Sequence, residues 1–155
     1  SKLSTKKFKV AGNDDIIGTQ ICGAMKNVLA VMCGAFLGAE LGKSAVSMLI
    51  TKAIEEIGDL VVSACGRRDT VYEMCGIGDI ILTCTNDASR NIRFGKFIAN
   101  GGTISTWEGN LAEGAFTAKV LNQLQERFCK LPILQNAYEM IYEKKPISEV
   151  LNSII

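Results

Sequence analysis

Between Ile16 and Leu37 the chain runs almost wholly apolar, and the one charged residue inside this stretch is Lys26, followed at once by Asn27. Asp14 and Asp15 stand just before it, where a carboxylate can accept the free N–H groups of a first helical turn. Gly38 and Gly42 bracket its far end. A segment this long and apolar, capped at its start and broken at its end, is predicted to be a helix enclosed by the rest of the chain. Its longest charge-free part, Val28 to Ala39, falls short of the ~20 residues a membrane span needs, so a soluble protein without a membrane span is expected.

A core helix requires neighbours with apolar faces. From Ser44 to Cys65, Val46, Leu49, Ile50, Ala53, Ile54, Ile57, Leu60 and Val61 recur at three- and four-residue spacing, with Lys52, Glu55, Glu56 and Asp59 on the other face. Gly66 ends that helix, and a short one is predicted from Arg67-Arg68-Asp69 through Met74 to about Gly76. Ile80-Ile81-Leu82 is the most strand-like triplet, but it is short and isolated, and a buried helical turn is the favoured reading. Caps among Asn86, Asp87 and Ser89 open a helix to about Ala99, closed by Asn100-Gly101-Gly102, after which a polar loop reaches about Leu111. Three further helices are expected over Ala115 to Phe128, Ile133 to Tyr142 and Ile147 to Asn152, with Pro132 and Pro146 at their boundaries.

Few alternating β-branched runs occur, so the fold class is predicted to be all-α, a multi-helix bundle. Residues 1–13, where Phe8 and Val10 alternate with lysines, read as the end of an interdomain linker or a short strand. Residues 14–155 read as one helical domain, and 48% hydrophobic composition suffices for one core.

Several function classes are excluded. A formal charge of +1, from 17 basic and 16 acidic residues spread along the chain, leaves no footprint for nucleic acid or anionic membrane. The six cysteines are scattered among apolar neighbours with no secretory segment before them, so reduced, packed thiols in a cytoplasmic protein are expected. Without histidine or a Cys-x-x-Cys pair a zinc site is disfavoured, and no Ser-His-Asp or Cys-His nucleophile can form. Neither Gly-x-Gly-x-x-Gly nor Gly-x4-Gly-Lys-Ser/Thr occurs, so the chain has no dinucleotide cradle of its own.

Three polar islands remain. Lys26-Asn27 interrupts the core helix, and a lysine in a dry site must be paired or lose its proton; the alternative is a side chain that snorkels to water. Asp79, between the Gly76/Gly78 passage and the apolar triplet, is either a helix cap or the partner of a buried lysine. Ser89-Arg90-Asn91 falls in a first helical turn, where free N–H groups and a guanidinium suit phosphate, although a surface arginine explains the same residues.

In order, Gly23-Ala24-Met25-Lys26-Asn27-Val28, Gly76-Ile77-Gly78-Asp79-Ile80-Ile81-Leu82-Thr83-Cys84-Thr85 and Ser89-Arg90-Asn91 with Phe94-Gly95 resemble the bacterial-type NAD(P)-dependent glycerol-3-phosphate dehydrogenases. Leu111-Ala112-Glu113-Gly114, Thr117-Ala118, Leu131-Pro132-Ile133 and Tyr142-Glu143 are similar to that family's C-terminal signature. The resemblance implies a helical bundle like the C-terminal domain of 6-phosphogluconate dehydrogenase-like enzymes, without the N-terminal Rossmann domain that binds most of the NAD or NADP. It implies reduction of dihydroxyacetone phosphate to glycerol 3-phosphate for glycerophospholipid synthesis, and an isolated chain that is inactive. Lys26 would be the acid/base, with Asp79, Ser89, Arg90 and Asn91 binding substrate and Arg90, Leu111 and Glu113 touching the cofactor. Asn27 and Thr83 are weaker candidates. Two alternatives stay open: the helical half of a β-hydroxyacid-type dehydrogenase, and a helical dimerisation or binding module. A homodimer is compatible with each.

Overall fold

In the computed structural model, which describes residues 3–110, 112–124, 127 and 129–155, the apolar run forms α1 (Ile16–Gly38). Asp15 starts it. One carboxylate oxygen accepts the N–H of Gly18 at 3.0 Å, and the other accepts the Thr70 hydroxyl at 2.6 Å and the N–H of Arg67 at 2.8 Å. Those bonds, Thr70's foremost, pull the Asp15 carboxyl down to about 2 and tie the start of α1 to the segment that follows the second helix.

Every residue from Val28 to Phe36 is buried, so this part of α1 is enclosed on all sides. The helices α2 (Gly42–Ser63), α3 (Asp79–Cys84), α4 (Arg90–Ala99) and α5 (Glu113–Leu124) all pack on it. As a whole, α1 is long and apolar enough to cross a bilayer, but these neighbours spend its apolar surface on a protein core. Backbone approach at glycines makes the packing close: a Cβ on Gly95 of α4 would lie 2.0 Å from the Val31 carbonyl oxygen, and one on Gly34 of α1 would lie 2.2 Å from that of Ile92. At the start of α5, a Cβ on Gly114 would lie 2.2 Å from the carbonyl oxygen of Asn27.

Several elements depart from expectation. Glu56 sits among the polar residues of α2, yet it is buried and accepts the N–H groups of Ile133 at 2.7 Å and Leu134 at 2.9 Å. It thereby caps α6 (Pro132–Tyr142), whose own preceding residue, Leu131, offers no side-chain cap. Burial pushes the Glu56 carboxyl up against the opposing pull of those two bonds. Asn136 joins α6 to α7 (Ile147–Ile154), because its Oδ1 accepts from Lys145 at 2.7 Å and Ser153 at 2.8 Å.

The helix expected over 67–74 breaks at Glu73, which is extended between a tight turn, Arg68–Tyr72, and a wide one, Met74–Gly78. Gly76 makes this break possible, since a Cβ there would lie 2.2 Å from the Val71 carbonyl oxygen. Ile80-Ile81-Leu82 is helical, but only Ile80 is buried; Ile81 and Leu82 face outward, as one side of a short surface helix must. Among the described residues no strand forms. Phe8 and Val10 are exposed, and their N–H groups bond the hydroxyls of Thr5 and Ser4 instead of a neighbouring strand. The loop after α4 is pinned by Trp107, whose ring centroid lies 5.4 Å from that of Phe94 and 5.1 Å from that of Phe97. α5 begins at Glu113, two residues before the expected Ala115, and the expected end at Phe128 falls outside the described residues.

All six cysteines are free thiols, three of them buried. Burial pushes Cys22 up to about 11, and Cys33 is raised well above its ordinary value, first by its hydrogen bond with Cys84 and then by burial. Cys22 and Cys33 are both packed in the core, where the thiolate is disfavoured.

Candidate active site

Ahead of its fully buried half, α1 presents a half-buried face that includes Gly23, Lys26 and Asn27. Lys26 does not snorkel freely. Its Nζ lies 2.5 Å from Asp79 Oδ2, with the two side chains 25% and 34% exposed. Asp79 opens α3 directly after the Met74–Gly78 turn, so the glycine passage delivers the carboxylate to the lysine. The other carboxylate oxygen, Oδ1, accepts the Thr83 hydroxyl at 3.4 Å. A half-buried pair of this kind fixes the direction of the amine, since each group supplies the other's hydrogen-bond partner.

Asn27, one residue on, is the hub of a second network. Its Oδ1 accepts from Asn91 Nδ2 at 3.0 Å, and its Nδ2 donates to Glu113 Oε2 at 3.3 Å. Asn91 is buried, and its own Oδ1 accepts the N–H of Gly114 at 3.0 Å, so both ends of its amide are engaged by protein. Arg90 is exposed at the start of α4 and donates to Glu113 Oε1 at 3.2 Å. Ser89 precedes α4, but its side chain makes no cap bond.

The three islands, far apart in sequence, thus converge. Lys26 meets Asp79 directly, while Arg90, Asn91 and Glu113 reach α1 through Asn27. Leu111 lies outside the described residues. Asn27 and Thr83, the weaker candidates in the sequence, both belong to these networks, and Gly114, visible in the sequence only as part of a signature, joins them. The Gly114 signal was a glycine immediately after Glu113, where only a residue without a side chain lets α5 begin against α1. Exposed apolar side chains share these segments: Met74, Ile81 and Leu82 beside Asp79, and Phe116 after Glu113. Chemically, the arrangement offers a directed ammonium for proton transfer, with an amide, a guanidinium and a carboxylate beside it for polar recognition.

Fold and cluster together define an all-α domain in which one long central helix carries a half-exposed polar site at its middle. The chain belongs to the family described as NAD-dependent glycerol-3-phosphate dehydrogenase C-terminus, which matches residues 15–152. It is 38% identical over 154 residues to the glycerol-3-phosphate dehydrogenase [NAD(P)+] of Rhizobium johnstonii, covering 99% of this chain and 47% of that protein. The protein of the same name from Chlamydia abortus is 36% identical over 155 residues, covering 97% and 46%. The crystal structure of glycerol-3-phosphate dehydrogenase from Coxiella burnetii superposes with a TM-score of 0.90 at 31% identity, covering 99% of this chain and 48% of that one. The glycerol-3-phosphate dehydrogenase structure from Saccharomyces cerevisiae gives a TM-score of 0.87 at 27% identity, covering 97% and 46%. The chain spans about half the length of the curated relatives it matches.

Proposed function

We propose that this chain is the substrate-binding half of an enzyme that interconverts dihydroxyacetone phosphate and sn-glycerol 3-phosphate with NAD or NADP, in glycerophospholipid synthesis. The observation that carries the reading is the Lys26–Asp79 pair on the helix whose next residue, Asn27, holds the Arg90–Glu113 pair. The names of the relatives point the same way.

On this reading Lys26 gives a proton from Nζ to the carbonyl oxygen of the substrate as hydride reaches the carbonyl carbon, and takes it back in the oxidising direction. Asp79, backed by the Thr83 hydroxyl, holds the ammonium at that point. The nicotinamide cofactor, when bound, supplies or accepts the hydride. Arg90 offers its fork of donors to the phosphate, and Ser89 with the free N–H groups at the start of α4 adds neutral ones. Asn91, with both amide ends engaged, positions Asn27 and the start of α5.

The residues present suit contact with the edge of a dinucleotide. Arg90 and Glu113 are exposed and complementary to phosphate and ribose hydroxyls, and Leu111 lies two residues before Glu113. They do not amount to a full cradle, because no Gly-x-Gly-x-x-Gly segment occurs. The nucleotide is therefore assigned mainly to an N-terminal Rossmann half, and the chain alone should turn over neither cofactor.

The test is kinetic. The chain, fused behind a nucleotide-binding half from a relative, should reduce dihydroxyacetone phosphate. Lys26→Ala should lower kcat by about 10²–10⁴, the span of general acid–base contributions. Arg90→Ala should chiefly raise KM. An unchanged kcat in Lys26→Ala, or equal turnover of an unphosphorylated keto acid, would refute the assignment.

A further inference from the structure

Glycine inside a helix is destabilising relative to alanine, so each one in α1 calls for a reason. Most supply it by crowding. A Cβ on Gly18 would lie 2.1 Å from Asp15 Oδ2, one on Gly34 would lie 2.2 Å from the Ile92 carbonyl oxygen, and one on Gly38 would lie 2.8 Å from the Ala99 Cβ. Gly23 differs: apart from its chain neighbours and the backbone of its own helical turns, no atom of the described residues comes within 4 Å of where its Cβ would be. The protein leaves that space open at a cost in helix stability.

The open space lies beside the reactive groups. Residues three and four apart share a helix face, so Lys26 and Asn27 stand on the same face of α1 as Gly23. Asn27 Nδ2 lies 3.3 Å from the Gly23 carbonyl oxygen. We propose that Gly23 is a specificity-determining position: the carbon chain of the triose phosphate rests on the bare backbone of this turn, between the Lys26 amine and the Asn27 amide. The inference rests on the function proposed above. It adds that the substrate's fit is set by a missing side chain. A carbon atom of the substrate in contact with this backbone would sit about 3.5–4 Å away, within the volume a methyl group would fill. The substrate carbonyl would then be displaced from Lys26.

Two measurements test this. In the chain itself, Gly23→Ala should fold and melt about 1–4 °C higher, because alanine fits the helix and the space is free. In the fusion with a nucleotide-binding half, the same change should lower kcat/KM for dihydroxyacetone phosphate by about tenfold to a hundredfold, the scale of an ångström-sized misplacement. Gly23→Leu should lower it further while remaining folded. A Gly23→Ala protein that melts higher and turns over as well as the parent overturns the inference alone, and so does one that melts lower, since its Cβ must then clash. A folded parent fusion without turnover overturns the proposed function and this inference with it.

Discussion

Replacing Glu56 by alanine removes the acceptor shared by two backbone N–H groups at the start of α6. Ile133 and Leu134 are themselves buried, so neither N–H finds an easy replacement in water. Each orphaned buried donor costs about 1–3 kcal/mol, but deleting the carboxylate also relieves its own desolvation, which leaves a net loss of about 2 kcal/mol. For a chain of this size that corresponds to a melting temperature lower by about 4–8 °C. Glu56→Gln keeps one of the two acceptor oxygens and removes the charge, so its pH dependence isolates the contribution of ionisation. Because burial raises the Glu56 carboxyl above its ordinary value, folding binds the proton more tightly than the unfolded chain does. The contribution of Glu56 is therefore fully present below the usual carboxylate range and declines as pH rises through the raised value. Thermal melts of parent and Glu56→Gln across pH 4 to 8 should show the parent losing ground to the variant as pH increases. A difference that stays flat, or an alanine variant that melts with the parent, would refute the view that a buried carboxylate on α2 caps α6.

Two other perturbations probe the same framework. Gly95→Ala places a methyl group 2.0 Å from the Val31 carbonyl oxygen and 2.7 Å from the Ala35 nitrogen, both backbone atoms that can yield only if the helices part. The expected loss is at the upper end of about 1–3 kcal/mol in urea denaturation, and a loss below about 0.5 kcal/mol would mean that α4 slides freely on α1. Asp15 has its carboxyl held at about 2, so its stabilising contribution is present above the usual carboxylate value and lost as pH falls toward 2. Asp15→Asn should therefore be less stable near neutrality and lose less on acidification, and parallel acid transitions of the two proteins would count against this role.

What the sequence disclosed follows from what local pattern encodes. The helical class, the long central helix and a carboxylate cap at Asp14 or Asp15 were legible because periodicity, caps and glycine stops act within a few residues. Burial of individual polar residues was not. Glu56 sits on a polar stripe with Lys52, Glu55 and Asp59, and nothing local distinguishes it; its burial is decided by α6 arriving 77 residues later in need of an acceptor. Phe8 and Val10 show the converse, since alternation predicts a strand only where an edge is available to pair with. At the site, the residue types at Lys26, Asp79 and Arg90 announced chemistry. The linking role of Asn27 stayed hidden, because an asparagine beside a lysine carries no sign of which distant carboxylate or amide it will meet.

The site and the core are not separable in this fold. Asn27 lies one residue before the fully buried run of α1, and its carbonyl oxygen is the atom against which Gly114 brings α5. That approach sets where Glu113 stands, and Glu113 in turn meets Arg90 and Asn27. α4 is fixed on α1 by the reciprocal glycine contacts at Gly34 and Gly95, which place Asn91 where it can bond both Asn27 and the Gly114 N–H. Close packing tolerates little change in spacing, so the distances among the polar groups are inherited from backbone contacts that carry no polar chemistry themselves. A substitution at Gly34, Gly95 or Gly114 therefore acts on the amide and guanidinium as directly as it acts on stability.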